Sequence, residues 1–218
     1  MEIDDSLLKT ISDNGANDII SEMSEVTLDS IIQNDLIDKI PIISTLRSVY
    51  KISHSISDYL FIQKLLKFLY ELRSLSEQEK IEMKLKMESN NKYQNKIGEK
   101  LLEIVNKIDD SDKTVTIAKI FKSYINGDIE IHEFMKFCQI VNKSYLPDLM
   151  KLTNFARGQS LRSEYSGSLL SMGLLQINPT LYTREIKLGL SEIDLYQYIL
   201  NSDGKKLLMI LYPEFELL

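Results

Sequence analysis

The longest run of helically spaced apolar residues lies between Ile40 and Leu72. Apolar residues recur there at steps of three and four, the spacing that places side chains on one face of a helix. Pro41 suits a first helical turn, because its missing N–H would have no partner there. The pattern predicts either one long amphipathic helix or two helices joined near Ser57 and Asp58. The predicted buried face consists of Ile42, Leu46, Val49, Ser53, Ile56, Leu60, Ile62, Leu65, Leu66, Leu69 and Leu72.

Local signals predict further helices on both sides of this stretch. Ser76, followed three residues later by Glu79, forms a capping box, which marks the start of a helix. Its residues Ile81, Met83 and Leu85 are expected to face inward. The predicted helical segments of the first 145 residues, apart from the central stretch, are 3–11, 19–32, 80–87, 93–108, 113–125 and 131–141.

The pattern changes after Pro147, where short runs with β-branched or aromatic residues alternate with helical spacing. Helices are predicted over 148–155, 160–172 and 205–211, and strands over 174–177, 181–188 and 195–200. The predicted fold class is therefore mainly α. A multi-helix body with an acidic N-terminal arm occupies 1–145, and a small C-terminal α+β module occupies 146–218.

Composition narrows the class of protein. Of the 218 residues, 44% are hydrophobic and 27% are charged, which is ordinary for a globular protein and excludes disordered and fibrous classes. The single cysteine, Cys138, excludes an internal disulfide and fits a reducing compartment. No uncharged apolar run reaches the roughly 18 residues of a membrane span, and the N-terminus lacks the apolar core of a signal peptide. We therefore expect a cytoplasmic protein.

The net charge of −6 is unevenly distributed along the chain. Residues 1–40 contain ten acidic and two basic residues, whereas residues 41–100 contain eleven basic and seven acidic residues. An acidic arm beside a basic segment suggests that one lies on the other. A charge distribution that is simply solvated is the alternative.

One segment imitates a calcium-binding loop. Gly127 and Glu133 stand six residues apart, as the sixth and twelfth positions of an EF-hand do. Lys122 and Tyr124 would then occupy the first and third positions, where the ion needs carboxylate or amide oxygens, so we expect no calcium site. The same residues predict a helix–turn–helix corner with Glu133 in the first turn of the second helix.

The remaining chemistry-bearing residues form no recognised constellation. His54 and His132 are the only histidines, and together with Cys138 they show no zinc-binding spacing. No glycine pattern of a nucleotide-binding loop is present. The acidic run 109–112 is expected to end one helix and cap the next. We expect a protein with no cofactor, no metal and no enzymatic activity.

The order of elements after residue 146 resembles the end of a winged helix, in which a third helix leads into a β-hairpin. The helix predicted over 160–172 would then read DNA. Net charge is zero over residues 151–218, whereas duplex binding draws much of its affinity from phosphate neutralisation. A DNA-binding regulator is therefore an alternative function. Its candidate contacts, to DNA or to a partner, are Arg157, Gln159, Arg162 and Ser163.

The central stretch offers a second candidate surface, since a basic amphipathic helix can lie on an anionic membrane. Burying about eight large apolar side chains would stabilise the fold by roughly 1.5–3 kcal/mol each, which is large against a domain stability of about 5–15 kcal/mol. We therefore expect a buried face, so that replacing Leu46 or Leu60 with Asp unfolds the protein. A membrane-surface effector is the other alternative function. Its candidate contacts, to a membrane or to a partner, are Arg47, Lys51, Lys64 and Lys67.

A group of segments forms a further pattern: IPII at 40–43, DYLF at 58–61, KLLKFL at 64–69, GEKLL at 98–102 and IFKSYING at 120–127. These segments resemble an uncharacterised family of short helical bacterial proteins often found on mobile genetic islands. The resemblance covers roughly residues 25–155; it implies a helical fold and a bacterial or phage setting and transfers no catalytic residue. The predicted function is a non-enzymatic interaction or effector protein that acts through protein contacts, with phage defence as a setting and a homo-oligomer as one form of partner.

Overall fold

The computed structural model describes residues 3–23, 31, 35–51, 55–88, 97–158, 161–178 and 197–215. The chain divides into two compact units, Met1–Cys138 and Gln139–Leu218. The described residues are mainly helical, with a small antiparallel sheet near the C-terminus. Within this described part of the chain, no helix combines the length and the apolar character needed to cross a membrane. The predicted assignment of 1–145 and 146–218 to two functional domains stays a prediction.

The first unit is built from helices that surround a common core. In chain order they are α1 (Ile3–Ser12), α2 (Asn14–Met23), a 3-10 helix (Asp35–Lys39), α3 (Pro41–Tyr50), α4 (Ile56–Leu72), α5 (Glu77–Glu88), α6 (Ile97–Lys107), α7 (Lys113–Asn126) and the start of α8 (Ile131–Lys143), in which the boundary between the units falls. Helix α4 packs most extensively against α7, and α1 packs against α3, α5 and α6. Aromatic rings join α4, α7 and α8: the ring of Phe121 lies 6.0 Å from that of Phe68 and 5.7 Å from that of Phe134.

The central stretch forms two helices, the second of the two predicted arrangements. Helix α3 ends at Lys51, whose backbone is left-handed with a φ of 51°, and the side chain of Ser55 accepts a hydrogen bond from the N–H of Asp58 to begin α4. Buried positions that confirm the predicted face are Ile42, Leu46, Ile62, Leu65, Leu66, Leu69 and Leu72. Ser53 lies outside the described residues.

Three positions of the predicted buried face are wrong. Val49, Ile56 and Leu60 are 57%, 68% and 44% exposed, respectively. The break between α3 and α4 gives α4 a new rotational phase, so a helical period carried across it assigned Ile56 and Leu60 to the wrong side. Val49 lies before the break, in the last turn of α3. In α4 the buried face instead includes the aromatic residues Tyr59 and Phe61.

The predicted inward positions of helix α5 are confirmed at Met83 and wrong at Ile81 and Leu85. Met83 and Met87 are buried, whereas Ile81 and Leu85 are 52% and 56% exposed. Two methionines four residues apart form a stripe that packs well, because the flexible thioether side chain fills irregular gaps. The predicted capping box is confirmed: the N–H of Ser76 donates to the Glu79 carboxylate at 2.7 Å, and the N–H of Glu79 donates to the Ser76 hydroxyl at 3.2 Å.

The second unit combines short helices with a three-stranded antiparallel sheet. After α8 come α9 (Leu146–Met150), a 3-10 helix (Lys151–Gly158), β1 (Leu161–Arg162), α10 (Ser163–Ser171), β2 (Leu175–Ile177), β3 (Gln197–Leu200) and α11 (Ser202–Leu211). Strand β3 lies between β1 and β2, with Leu161 opposite Tyr198 and Leu175 opposite Leu200. Strands β2 and β3 were predicted, and the predicted strand at 181–188 lies outside the described residues.

Two helix predictions for the second unit need correction. The segment 148–155 is not one α-helix, because α9 gives way to a 3-10 helix at Lys151. The helix predicted over 160–172 begins only at Ser163, since Leu161 and Arg162 pair with β3. Helix α11 is capped by Asn201, the residue before its first turn, whose side chain accepts a hydrogen bond from the N–H of Gly204 at 2.9 Å.

Candidate functional site

A pocket of about 460 Å³ opens in the first unit between α1, α3, α4 and α6. We name it the α6 pocket, because half of its described lining comes from the solvent-facing side of that helix. Its floor is the edge of the hydrophobic core, and its rim is charged or polar. The floor consists of Ile3, Leu46, Phe61 and Leu102, and the rim consists of Glu99, Lys100, Glu103 and Asn106.

The N-terminal end of α6 is capped by a side chain from α1. A carboxylate oxygen of Asp4 accepts the N–H of Gly98 at 2.7 Å, and a negative charge there also suits the positive end of the helix dipole. The approach is close enough to require glycine, because a Cβ on residue 98 would lie 2.1 Å from that oxygen. This contact fixes the α1 residue Ile3 at one end of the pocket.

The C-terminal end of α6 is capped by a side chain from α4. The Lys64 ammonium donates to the carbonyl oxygens of Asn106 and Ile108, both at 2.8 Å. A cation in this position suits the negative end of the dipole. Partial burial lowers the pKa of Lys64, and the charge of Asp109 opposes that shift. Lys64, predicted as a membrane or partner contact, therefore binds within its own chain.

The middle of the rim carries a row of ion pairs along α6. The Glu103 carboxylate lies 2.6 Å from the Lys107 ammonium and 3.1 Å from the Lys100 ammonium. Hydrogen bonds from Lys107 and then from Lys100 lower the pKa of Glu103. Because all three side chains reach solvent, the pairs can exchange partners with an incoming molecule at little cost.

The other predicted basic contacts of the central stretch lie in different surroundings. Lys67 donates to the Ser111 hydroxyl at 2.8 Å and to the Asp112 carboxylate at 3.0 Å. Arg47 forms an ion pair with Asp38 at 2.9 Å, and Lys51 is exposed where α3 ends. The role of these four residues as contacts stays a prediction.

The predicted DNA or partner contacts belong to the second unit. Arg157 lies in the 3-10 helix, Arg162 lies in β1 opposite Gln197, and Ser163 is the first residue of α10. Gln159 lies outside the described residues. The contact role of these residues stays a prediction.

The segment that imitates a calcium loop is the predicted helix–turn–helix corner. Gly127 ends α7 with a φ of 83°, and the Glu133 carboxylate accepts the N–H of Glu130 at 2.9 Å in the first turn of α8. The Lys122 ammonium is bonded to the Ser74 hydroxyl at 2.7 Å. Among the described residues, no three His, Cys, Asp or Glu side chains are grouped so that they could hold a metal ion.

The remaining candidate residues are the single cysteine, the two histidines and the acidic run 109–112. Cys138 is buried, and burial raises the pKa of its thiol. His132 is exposed, and His54 lies outside the described residues. In the acidic run, the Asp109 carboxylate accepts from Lys113 at 2.6 Å, which is the main cause of its lowered pKa. Asp112 occupies the position before α7, but its side chain makes no capping bond.

Sequence reasoning did not find the α6 pocket. Its lining comes from four helices, and no local motif joins them. The one available signal was in α6, where Leu101 and Leu102 are apolar and Glu99, Lys100 and Glu103 form a charged face. That pattern locates a solvent-facing side but not the cleft beside it.

The chain matches no protein-family model, no curated protein and no solved structure. The resemblance of its segments to short bacterial proteins, and that of residues 146–218 to a winged helix, stay predictions.

Proposed function

We propose that this chain is a non-enzymatic interaction protein that binds a protein partner through the α6 pocket. The observation that carries the proposal is the pocket itself, an apolar floor beneath a charged rim. Its volume of about 460 Å³ falls within the range of roughly 300–1,000 Å³ typical of binding sites. A central apolar anchor surrounded by polar residues is also the usual anatomy of a protein interface.

The lining chemistry favours binding over catalysis. The described lining residues include two carboxylates and one ammonium group, and none of them is a histidine, cysteine, serine or threonine. The Glu103 pKa is lowered, whereas a carboxyl group that acts as a general acid needs a raised one. An aliphatic or aromatic side chain from a partner would gain roughly 1.5–3 kcal/mol on burial against the floor.

A protein partner fits the surroundings of the pocket better than a small molecule. The apolar surface continues beyond the floor on α3, where the exposed Val49 stands one helical turn after Leu46. An exposed apolar side chain beside the floor adds contact area for a macromolecule. A bacterial mobile-element setting, a link to phage defence and a cytoplasmic location belong to the same proposal, and they rest on the sequence resemblance and the cysteine content.

A photo-crosslinking amino acid placed at residue 106 on the pocket rim tests this proposal. The matched control carries it at Lys136, an exposed position of α8 in the same unit. We expect irradiation in an extract of the producing cells to give a discrete protein adduct from position 106 and none from position 136. Equal labelling from both positions, or none from position 106, would contradict the proposal.

One observation favours a second candidate function, a membrane-surface effector. Val49, Ile56 and Leu60 are all exposed near the junction of α3 and α4, and Lys51 is exposed in the same region. Exposed apolar residues beside a cation can insert into an anionic membrane surface. If they do, Leu60→Asp abolishes sedimentation with phosphatidylserine vesicles, and Ile81→Asp, at an equally exposed position of α5, does not. If the unaltered protein does not sediment with the vesicles, this candidate function is excluded.

No observation in the described residues favours the DNA-binding alternative. The winged-helix arrangement of residues 146–218 is a proposal that rests on the order of elements seen in the sequence. A gel-shift titration at low salt checks it, since binding through phosphate contacts weakens steeply as salt is added.

A further inference from the structure

We propose that Asn14 is a site of spontaneous covalent modification, at which the Asp13 carboxylate acts as general base in the conversion of the Asn14 side-chain amide to a carboxyl group. The sequence contains the dipeptide Asn–Gly twice, at Asn14–Gly15 and at Asn126–Gly127. A glycine after the asparagine favours this conversion, because no Cβ shields the glycine nitrogen. The two pairs differ in the acceptor that the glycine N–H meets.

The conversion needs only the chain and water. The glycine nitrogen attacks the asparagine Cγ and gives up its proton to a base. An N–Cγ bond forms, the Cγ–Nδ2 bond breaks, and the leaving nitrogen takes a proton from the base and departs as ammonia. Water then opens the resulting five-membered imide at either of its two carbonyl groups. The product is aspartate or isoaspartate, and no oxidation or reduction occurs.

A carboxylate lies against the proton that must leave at the first pair. The N–H of Gly15 donates to a carboxylate oxygen of Asp13 at 2.8 Å, which is inside the reach of roughly 2.6–3.2 Å that a general base needs. The same oxygen accepts the N–H of Ala16 at the longer distance of 3.2 Å. The bonds that cap α2 therefore also place a base at the attacking nitrogen.

The side chain of Asn14 is able to approach that nitrogen. Asn14 is the first residue of α2 and is exposed. In the described part of the chain its side chain has no hydrogen-bond partner. Rotation of Asn14 that brings its Cγ towards the Gly15 nitrogen therefore breaks no side-chain hydrogen bond and disturbs only the first turn of the helix. Gly15 is exposed as well, so water can reach the imide.

The second pair lacks a base at the corresponding position. The N–H of Gly127 donates to the carbonyl oxygen of Tyr124 at 3.2 Å, as part of the C-terminal cap of α7. A peptide carbonyl is too weak a base to take this proton. The Asn126 side chain is also held by a hydrogen bond to the Glu79 carboxylate. We therefore expect Asn126 to react more slowly than Asn14.

The conversion changes the start of α2. It adds a negative charge beside Asp13, and isoaspartate also inserts a methylene group into the backbone of the first helical turn. Ala16, two residues further on, is buried, so the longer backbone has to be accommodated where the helix enters the core.

Mass spectrometry of peptides from the whole chain, incubated at neutral pH, tests the proposal. Trypsin separates the two pairs, because Lys9 precedes one and Lys122 precedes the other, and fragment ions locate the change within each peptide. We expect the mass gain of an amide-to-carboxyl exchange to accumulate at Asn14 at least about tenfold faster than at Asn126.

The variant Asp13→Ser tests the role of the base. Serine caps a helix about as well as aspartate, so the melting temperature should stay nearly unchanged, but its hydroxyl group is not basic. The rate at Asn14 should fall at least about tenfold, since a positioned general base contributes about 10²–10⁴-fold, while Asn126 in the same sample reacts as before. The proposal is overturned by an undiminished rate at Asn14 in this variant, by no modification of Asn14 in the unaltered chain, or by modification of Asn126 at an equal or higher rate.

Discussion

Two leucines of α4 give the sharpest test of the packing, because they differ in burial and in little else. Leu65 is completely buried, and Leu60 is 44% exposed. Both lie inside the same helix, so the change in intrinsic helix propensity on substitution by Ala is the same at both positions. The difference between Leu65→Ala and Leu60→Ala therefore reports tertiary packing alone.

The expected free energies of unfolding differ by several kilocalories per mole. Leu65→Ala removes buried methyl groups and leaves a cavity between α4 and its neighbours, which costs about 2–5 kcal/mol. Leu60→Ala removes partly hydrated surface and should cost less than about 1 kcal/mol. Against a total stability of about 5–15 kcal/mol, only the first change is large.

Urea titration followed by far-ultraviolet circular dichroism measures both variants on one scale. The predicted outcome is a clearly lower midpoint for Leu65→Ala and a nearly unchanged midpoint for Leu60→Ala. Leu60→Asp should likewise fold, contrary to the expectation from sequence. Equal destabilisation by the two alanine substitutions would refute the assigned orientation of α4.

Two further predictions concern local contacts. Gly98→Ala places a Cβ against the Asp4 carboxylate and should lower the free energy of unfolding, measured by thermal melts, by about 1–3 kcal/mol. In the control Gly167→Ala, in helix α10, the added Cβ meets nothing within 4 Å, so this change should stabilise the protein by up to about 1 kcal/mol. Equal effects of the two substitutions would contradict the cap. The Glu79 pKa is lowered, chiefly by the backbone hydrogen bond from Ser76. The ionised Glu79 therefore stabilises the folded state above its ordinary pKa of 4.5, and this stabilisation is lost as the pH falls through the lower pKa of the folded state. The difference in melting temperature between the unaltered chain and Glu79→Gln should therefore shrink between pH 7 and pH 3, and a constant difference would argue against this role.

Local signals in the sequence were sufficient where neighbouring residues determine the structure. The Ser76–Glu79 capping box and the Gly127 corner each depend on a few consecutive residues, and both are present. Leu65, Leu66, Leu69 and Leu72 were correctly predicted as buried, and all four lie at helical spacing within the unbroken helix α4.

Predictions failed where the answer depends on distant parts of the chain. The phase of α4 changes at the break after Lys51, so Leu60 turned outward. Helix α5 could have buried either of two faces, and its packing on α1 and α7 selects Met83 over Ile81. Strand β1 exists because Arg162 pairs with β3, which lies far along the chain.

The α6 pocket could not be predicted for the same reason. Asp4 and Lys64 bond to the two ends of α6, the helix that supplies most of the lining, and each does so across a long stretch of sequence. In the sequence, nothing distinguishes these two residues from the other charged residues. Their contacts with α6 follow only from the packing of α1 and α4 beside that helix.

The affinity of the crosslinked partner for a rim variant tests the central claim most directly. Glu103→Arg removes the acceptor between Lys100 and Lys107, places three cations side by side, and extends a long side chain over the pocket. Isothermal titration should show an affinity at least about tenfold weaker, or about 1.4 kcal/mol, with the melting temperature nearly unchanged. Lys136→Glu, away from the pocket, should bind as the unaltered chain does. Unchanged affinity of Glu103→Arg would contradict the assignment of the α6 pocket as the partner-binding site.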